Sequence, residues 1–433
     1  MPVEPVDGPV TQATLASARM PRGFYRLIAA QFFSALADNA LLIVAMALLA
    51  EQGMPIWWAP MLKFCFTLAY VIFAPGVGPL ADALPKARLM AWMNLLKIVG
   101  VLGLALQTHP LLAFAIVGLG AAAYAPAKYG LITELVPPRQ LVAANSWLEV
   151  TVVCAALMGT VLGGLLVAAP VVAIGAEWGG PWQGRGAWFA HHTVYGASLL
   201  ALLGIYFVAS ALNLGIPDSG ARYASSTPRL HVLVREFTDA NSLLWRDAWG
   251  GLSLAVTTIF WGFGATLQFA VLRWAQDSLQ LSLEQAAYLQ AAVAIGVVGG
   301  AVLAGKWVGL HQAMRVLPLG VLLGLLVPVV ALVDELGPAL VLLVVLGVAG
   351  GAMVVPMNAL LQHRGYQLLT AGRSIAVQGF NENLGVLAML AVYAGLLGLD
   401  WPIEAIITCF GLGIAAGVLL LALRARRLAP LVH

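Results

Sequence analysis

Apolar residues run along this chain in blocks of about twenty, each closed by a short polar break. The blocks fall at roughly 24–50, 59–81, 89–107, 111–133, 141–170, 189–214, 249–275, 284–305, 314–333, 338–361, 374–398 and 402–423. Twenty helical residues rise ~30 Å, the thickness of a bilayer's hydrocarbon core. The pattern therefore predicts twelve transmembrane helices and an all-α polytopic fold. Most breaks carry turn formers, as in "EQGMPIWWAP", "ALPKAR", "QTHP", "LVPPRQ", "DELGP" and "GLDWP". Two breaks are longer. Residues 171–188 are rich in Gly and Trp, and residues 215–248 mix Arg222, Arg229, Arg235 and Arg246 with Asp218, Glu236, Asp239 and Asp247.

Composition leaves no room for a water-soluble alternative. Of 433 residues, 61% are hydrophobic and 9% charged, with a mean hydropathy of +0.92; a soluble domain carries about 25% charged residues. Cys65, Cys154 and Cys409 are far apart in apolar runs, so neither a disulfide framework nor a metal-binding spacing is present. No cofactor, metal or nucleic-acid partner is expected; the net charge of +3 is small and by itself says nothing about nucleic acid. Residues 1–22 are polar and Pro-rich, with no apolar stretch leading to a cleavage site; they predict a disordered cytoplasmic tail rather than a signal peptide. With the N-terminus inside, seventeen of the 22 Lys and Arg residues fall on the cytoplasmic side and Arg185 alone outside. That bias predicts an N-in, C-in orientation.

Six spans, a charged linker and six more spans divide the chain into a first bundle (23–214), a linker (215–248), a second bundle (249–424) and a tail (425–433). This is the layout of the major facilitator superfamily, whose halves rock about a central site. A repeat supports it. Span four holds Gly120, Pro126 and Lys128 in "GAAAYAPAKYGLI", and span ten holds Gly350, Pro356 and Asn358 in "GGAMVVPMNALLQ", at the same offsets. The glycines permit close helix contact and the prolines permit a bend. Span five then carries Asn145 and Glu149, and span eleven Gln378 and Glu382. Each pair is an amide and a carboxylate at i, i+4 on one helix face, expected to mark the walls of a central cavity. After span two, Gly78, Asp82 and Arg88 match part of the superfamily's loop signature, with Ala87 where Gly is usual. Asp82 and Arg88 are the candidate gating residues; a charged turn obeying the positive-inside rule is the plainer reading.

Asp38, Lys63, Lys97, Lys128, Glu149, Arg273 and Glu382 lie at membrane depth, where a carboxylate costs several kcal/mol, ~2.5–3.5 at a helix centre. Asp38 stands ~21 Å into span one, beyond the reach of snorkelling. Either it is fixed in an ion pair or it meets a substrate or ion. Lys63 and Lys97, nearer span ends, read as snorkelling cations; Arg273 reads as an outer anchor or a cavity residue. Trp57, Trp58, Trp178, Trp182, Trp188 and Trp401 read as an interfacial belt. A cavity holding carboxylates and a lysine suits a zwitterion, with Lys128 on a phosphate and Asp38 on an amine, and its apolar lining suits an acyl chain.

From Ala30 to the last span the chain resembles the bacterial lysophospholipid transporter family, a branch of that superfamily. The resemblance rests on "QFFSALADNALL", "FAPGVGPLADALPKARLM", "GAAAYAPAKYGLITEL", "TIFWGFGATLQF", "VVPMNALLQHRG" and "AVQGFNEN". It implies inward movement of lysophospholipids, chiefly lysophosphatidylethanolamine, across the bacterial inner membrane. A separate acyltransferase would act downstream. It also implies that Asp38, Asn39, Lys128 and Glu382 line the route; Tyr124, Glu149, Gln268, Arg273 and Asn358 complete the candidate substrate-binding set. Gln268 stands where the family's span-seven motif has Arg, and Arg273, about 140° round the helix, is the candidate replacement. A monomer among membrane lipids is expected.

An intrinsic enzyme is not. His191 and His192 are followed at the acyltransferase spacing by Gly196 and Ala197, and neither a G-x-S-x-G elbow nor a Walker A motif is present. The alternative is a proton- or sodium-coupled drug exporter or another small-molecule carrier, with Glu149, Glu382 and Asp38 as protonation sites; a passive scramblase is a third reading.

Overall fold

The apolar runs form helices in the structure, a computed structural model that describes residues 20–54, 58–106, 108–173, 195–221, 223, 229–281 and 283–428. In chain order these are α1 (Arg22–Glu51), α2 (Trp58–Ile72), α3 (Ala74–Ala83), α4 (Lys86–Ala105), α5 (Pro110–Leu135), α6 (Leu141–Leu166) and α7 (Gly196–Leu214) in the first half. Then come α8 (Leu230–Arg246) in the linker, and α9 (Ala248–Asp277), α10 (Leu283–Trp307), α11 (Leu317–Val330), α12 (Leu336–Leu368), α13 (Ala371–Gly398) and α14 (Ile403–Leu428) in the second. Eleven helices are long and apolar enough to cross a bilayer, and the bent pair α2–α3 makes the twelfth span. The second span is not the single rod that its apolar run suggests: its segments meet at 65°. Pro75 in the first turn of α3 explains the break, because it lacks an N–H and its ring crowds the preceding turn. Pro126 and Pro356 lie inside unbroken helices.

The duplication read from the sequence recurs in the packing. Spans one and five (α1, α6), two and four (α2, α5) and three and six (α4, α7) are neighbours; so are their counterparts α9 and α13, α10 and α12, α11 and α14. The repeated glycines serve this packing. A methyl on Gly120 would meet the Lys97 stem and the Met93 carbonyl of α4, and one on Gly350 would meet Phe260 of α9. The closest seam joins α10 to α12, where Gly296 and Gly300 face Gly347 and Gly351 backbone to backbone. Small residues let helices approach so closely in lipid. Gly347→Leu would drive a side chain into the Val293 carbonyl, a backbone atom that cannot rotate away. Overpacking of this kind costs about 1–3 kcal/mol or more. The variant is expected to lose its monodisperse peak in detergent size-exclusion chromatography, whereas Gly337→Leu, at an open position, keeps it.

The linker is not only a loop. Its helix α8 turns Phe237, Ala240 and Leu244 against Leu254, Leu361 and Val377. Trp245 Nε1 donates to Asn381 Oδ1 at 3.0 Å, and Arg373 Nη2 donates to Glu236 Oε2 at 2.7 Å. Of the tryptophan belt, Trp401 is exposed as expected. Trp57, Trp178, Trp182 and Trp188 lie outside the described residues, as do His191, His192, Arg185 and the N-terminal segment up to residue 19; nothing is described of the Trp58 side chain.

Candidate substrate cavity and its closed end

Asp38 is paired. Its Oδ2 lies 2.7 Å from Lys97 Nζ, and its Oδ1 accepts a hydrogen bond from the Tyr206 hydroxyl at 2.7 Å. Lys97 also donates to Ser34 Oγ at 3.0 Å, and Ser34 Oγ donates to Asn94 Oδ1 at 2.9 Å. The ammonium lies 5.3 Å and 5.7 Å from the ring centroids of Tyr124 and Tyr206, a favourable place for a cation. Lys97 thus does not snorkel. Its stem fills the groove beside Gly120, and its side chain is 2% exposed against 18% for Asp38. The carboxylate is the accessible half of the pair. Tyr124, buried on α5, reaches Asn213 Oδ1 at 3.4 Å. Asn39 donates to the Ala35 carbonyl of its own helix at 2.8 Å and lies against Gly159 of α6.

Lys128 is buried too, but differently. Its ammonium lies 4.2 Å from the Tyr129 ring centroid, and among the described residues no carboxylate bonds to it. Glu149 and Asp38 stand within electrostatic reach of it, and Glu149 of Glu382. In the other half Gln378 Nε2 donates to Asn358 Oδ1 at 3.1 Å and to Glu382 Oε1 at 2.8 Å, and Thr257 bonds the same carboxylate. Asp38, Tyr124, Lys128 and Glu149 from one half therefore come together with Asn358 and Glu382 from the other. Gln268 is exposed on α9, and its backbone carbonyl accepts from Gln290 Nε2 at 3.0 Å. Arg273 pairs with Asp277 at 3.3 Å in a half-exposed i, i+4 bridge of its own helix.

The halves meet tightly at the end that carries the linker helix. Asp82 crosses between them: it accepts from the Thr370 hydroxyl, from Gly372 N at 2.8 Å and from Arg373 N at 3.2 Å. A carboxylate on the free N–H groups that open α13 is a favourable cap. Gly78 makes the approach possible, since a methyl there would lie 3.0 Å from Ala376 Cβ and from Arg373 Cα. Asn145 and Gln362 exchange two amide hydrogen bonds of 2.9 Å across the same seam. Asn145 is thus a closure residue more than a cavity wall. Arg88 is exposed and no bond to the gate is described. Its neighbour Lys86 takes the buried place, 2.7 Å from Glu134 Oε1. Ser219 and Tyr223 of the linker donate to that same carboxylate at 2.6 and 3.2 Å.

Asp247 caps α9 through Gly250 N at 2.7 Å and meets Arg364 Nη2 at 2.6 Å. Burial pushes its carboxyl upward, but Arg364 and the backbone donors outweigh burial and hold it below the usual carboxylate range. That contribution to stability is complete above the unfolded carboxylate pKa and disappears as pH falls through the lowered folded value.

The pattern of the Major Facilitator Superfamily matches residues 27–388. The lysophospholipid transporters LplT of Yersinia pestis (strain Pestoides F) and Yersinia pseudotuberculosis serotype O:3 (strain YPIII) are each 38% identical over 388 residues, covering 89% of this chain and 90% of the relative. Among solved structures, a variant of the E. coli fucose:proton symporter FucP superposes with a TM-score of 0.70 at 14% identity, over 93% of this chain and 98% of that one. A bacterial homologue of the iron transporter ferroportin in its outward-facing state gives 0.67 at 14% identity, over 95% and 100%. At that identity these two speak for the fold alone, whereas the relatives at 38% speak for the branch. The chain belongs to the Major Facilitator Superfamily and, within it, to the lysophospholipid transporter family.

Proposed function

We propose that this protein carries lysophospholipids, lysophosphatidylethanolamine among them, from the outer to the inner leaflet of the bacterial inner membrane by alternating access, with both termini in the cytoplasm. The observation that carries the reading is the charge arrangement of the cavity. A pairable carboxylate, Asp38, stands within electrostatic reach of a buried lysine, Lys128, that bonds to no described carboxylate. A zwitterionic headgroup answers both charges. Its ammonium approaches Asp38, the exposed side of the Asp38–Lys97 pair, and its phosphate approaches Lys128. Lys97 and Tyr206 hold Asp38 aimed without a substrate, so the pair can trade one cation for another as the lipid arrives. A protein that only translocates the lipid leaves reacylation to a separate acyltransferase, and no enzymatic step is assigned to this chain.

The cavity is shut at the linker end by Asp82, Asn145 and Gln362. With the linker in the cytoplasm, this is the state that accepts substrate from the outer leaflet. The test is uptake of labelled lysophosphatidylethanolamine by spheroplasts, compared with cells lacking the protein. Lys128→Gln is expected to lower uptake roughly 10- to 100-fold, because a bond to a charged group is worth about 1.5–3 kcal/mol. No uptake by the wild-type protein sinks the reading. A second reading, an ion-coupled exporter, draws on Glu149 and Glu382, which stand within electrostatic reach of one another with no described cation bonded to either; efflux that stops when the proton or sodium gradient is collapsed would favour it.

A further inference from the structure

Lys63 is a membrane-depth cation that, among the described residues, neither the cavity nor the closed end uses. It lies near the start of α2, away from the linker end, and its side chain is exposed. Among the described residues no carboxylate pairs with it. Its ammonium instead points across to the other half and lies 6.0 Å from the ring centroid of Phe269 on α9, at the outer limit of a useful cation–π contact. An ammonium so placed is held loosely and can leave the ring for a better partner.

Lys63 does not stand alone on its helix. Lys63, Thr67 and Tyr70 follow one another at i, i+4 and i+7 and so share one face of α2. That face descends ~10 Å from Lys63 to Tyr70. At its lower end Tyr70 stands within electrostatic reach of Asp38 and Tyr129, and beside Gly379 of α13. The three residues run down one face of α2 from the exposed Lys63, past the buried Thr67, to Tyr70 near Asp38, on a helix whose other positions are almost all apolar. One turn beyond Phe269 on α9, Arg273 is bridged to Asp277 in a half-exposed pair.

We propose that Lys63 is the outer capture site for the substrate's phosphate: it takes the lysophospholipid headgroup at the mouth of the cleft and hands it along Thr67 and Tyr70 to Lys128 and Asp38. This rests on the reading of the protein as a lysophospholipid carrier. A contact made on arrival and released before the carrier turns over should govern apparent affinity rather than turnover.

The experiment is concentration-dependent uptake of lysophosphatidylethanolamine in spheroplasts by wild type, Lys63→Gln, Lys63→Glu and Lys63→Arg at equal membrane abundance. Lys63→Gln is expected to raise KM roughly tenfold with little change in maximal rate, Lys63→Glu to raise it further, and Lys63→Arg to stay near wild type. Raising ionic strength should raise KM for wild type and flatten the difference from Lys63→Gln, since an exposed charge is screened. Monoacylglycerol, which lacks the phosphate, should compete equally with all four forms. If Lys63→Gln is poorly inserted, Thr67→Val tests that face of α2 with a smaller change and the same expected direction in KM. An unchanged KM in Lys63→Gln, or a fall in maximal rate alone that Lys63→Arg shares, overturns the capture site while leaving the carrier reading in place. Absence of uptake by wild type overturns the carrier reading and this inference with it.

Discussion

Asp38→Asn is expected to reduce lysophospholipid uptake roughly 100-fold or more, an effect of about 3 kcal/mol. Two losses combine. The variant cannot attract an ammonium, and it leaves Lys97, 2% exposed, with no counter-charge at bonding distance. Stripping one partner from a buried pair costs about 3–5 kcal/mol, so the folded protein should suffer as well. The double variant Asp38→Asn, Lys97→Met separates the two effects. Removing both charges together is often close to neutral for stability; thermal stability in detergent should therefore recover. If the pair serves only the fold, uptake recovers with it. If Asp38 receives the headgroup, uptake stays lost in a protein that is again stable. Full recovery of uptake in the double variant would show that the intramembrane carboxylate is structural.

Asp82→Ala should open the linker end. It removes one hydroxyl bond and two backbone N–H bonds that cross between the halves at the start of α13. A helix cap of this kind is worth about 0.5–2 kcal/mol, and each 1.4 kcal/mol moves a two-state equilibrium about tenfold. Spin labels at Arg88 and Gln367, both exposed and in opposite halves, provide the readout. The distance distribution of the variant should gain a longer component and uptake should fall, because the state that receives substrate is depopulated. A distribution identical to that of the wild type would mean that Asn145 and Gln362 hold the seam without the cap.

The spans and their pairing into halves were legible because lipid allows so few alternatives. A backbone in hydrocarbon must bond to itself, so twenty apolar residues have one folded fate. The bend at Phe73 was missed, although "FAPGVGP" places two prolines within one apolar run. The partner of Asp38 was harder. Lys97 was read as nearer a span end and so as snorkelling, yet it sits at the middle of the run 89–107, where an ammonium needs a partner. The better signal was polar spacing: Ser34 with Asp38, Asn94 with Lys97, and Tyr206 with Ser210 and Asn213 each share a helix face. Three such stripes in spans one, three and six predict a polar junction, but only the fold says which atoms touch. Lys86 and Arg88 show the same limit. They are two residues apart, so one side chain turns to Glu134 and the other to solvent, and a loop signature cannot tell which. Helix α8 was hidden by its charges, although Leu230, Val234, Phe237, Ala240 and Leu244 recur at helical spacing.

The linker also sets a mechanical stop. Ser219 and Tyr223 are tied to Glu134 of the first half, and α8 is tied through Asn241, Trp245 and Glu236 to α13 of the second. Five residues of chain separate Tyr223 from Arg229, and the six Cα-to-Cα steps between them reach at most ~20–22 Å. While both ties hold, the two anchor points cannot part further than that leash allows. The width to which the linker end opens, and so the bulk of headgroup that can pass there, is then governed by a length of backbone as well as by the side chains of the cavity. Lengthening the leash should widen that passage without touching the site where the headgroup binds.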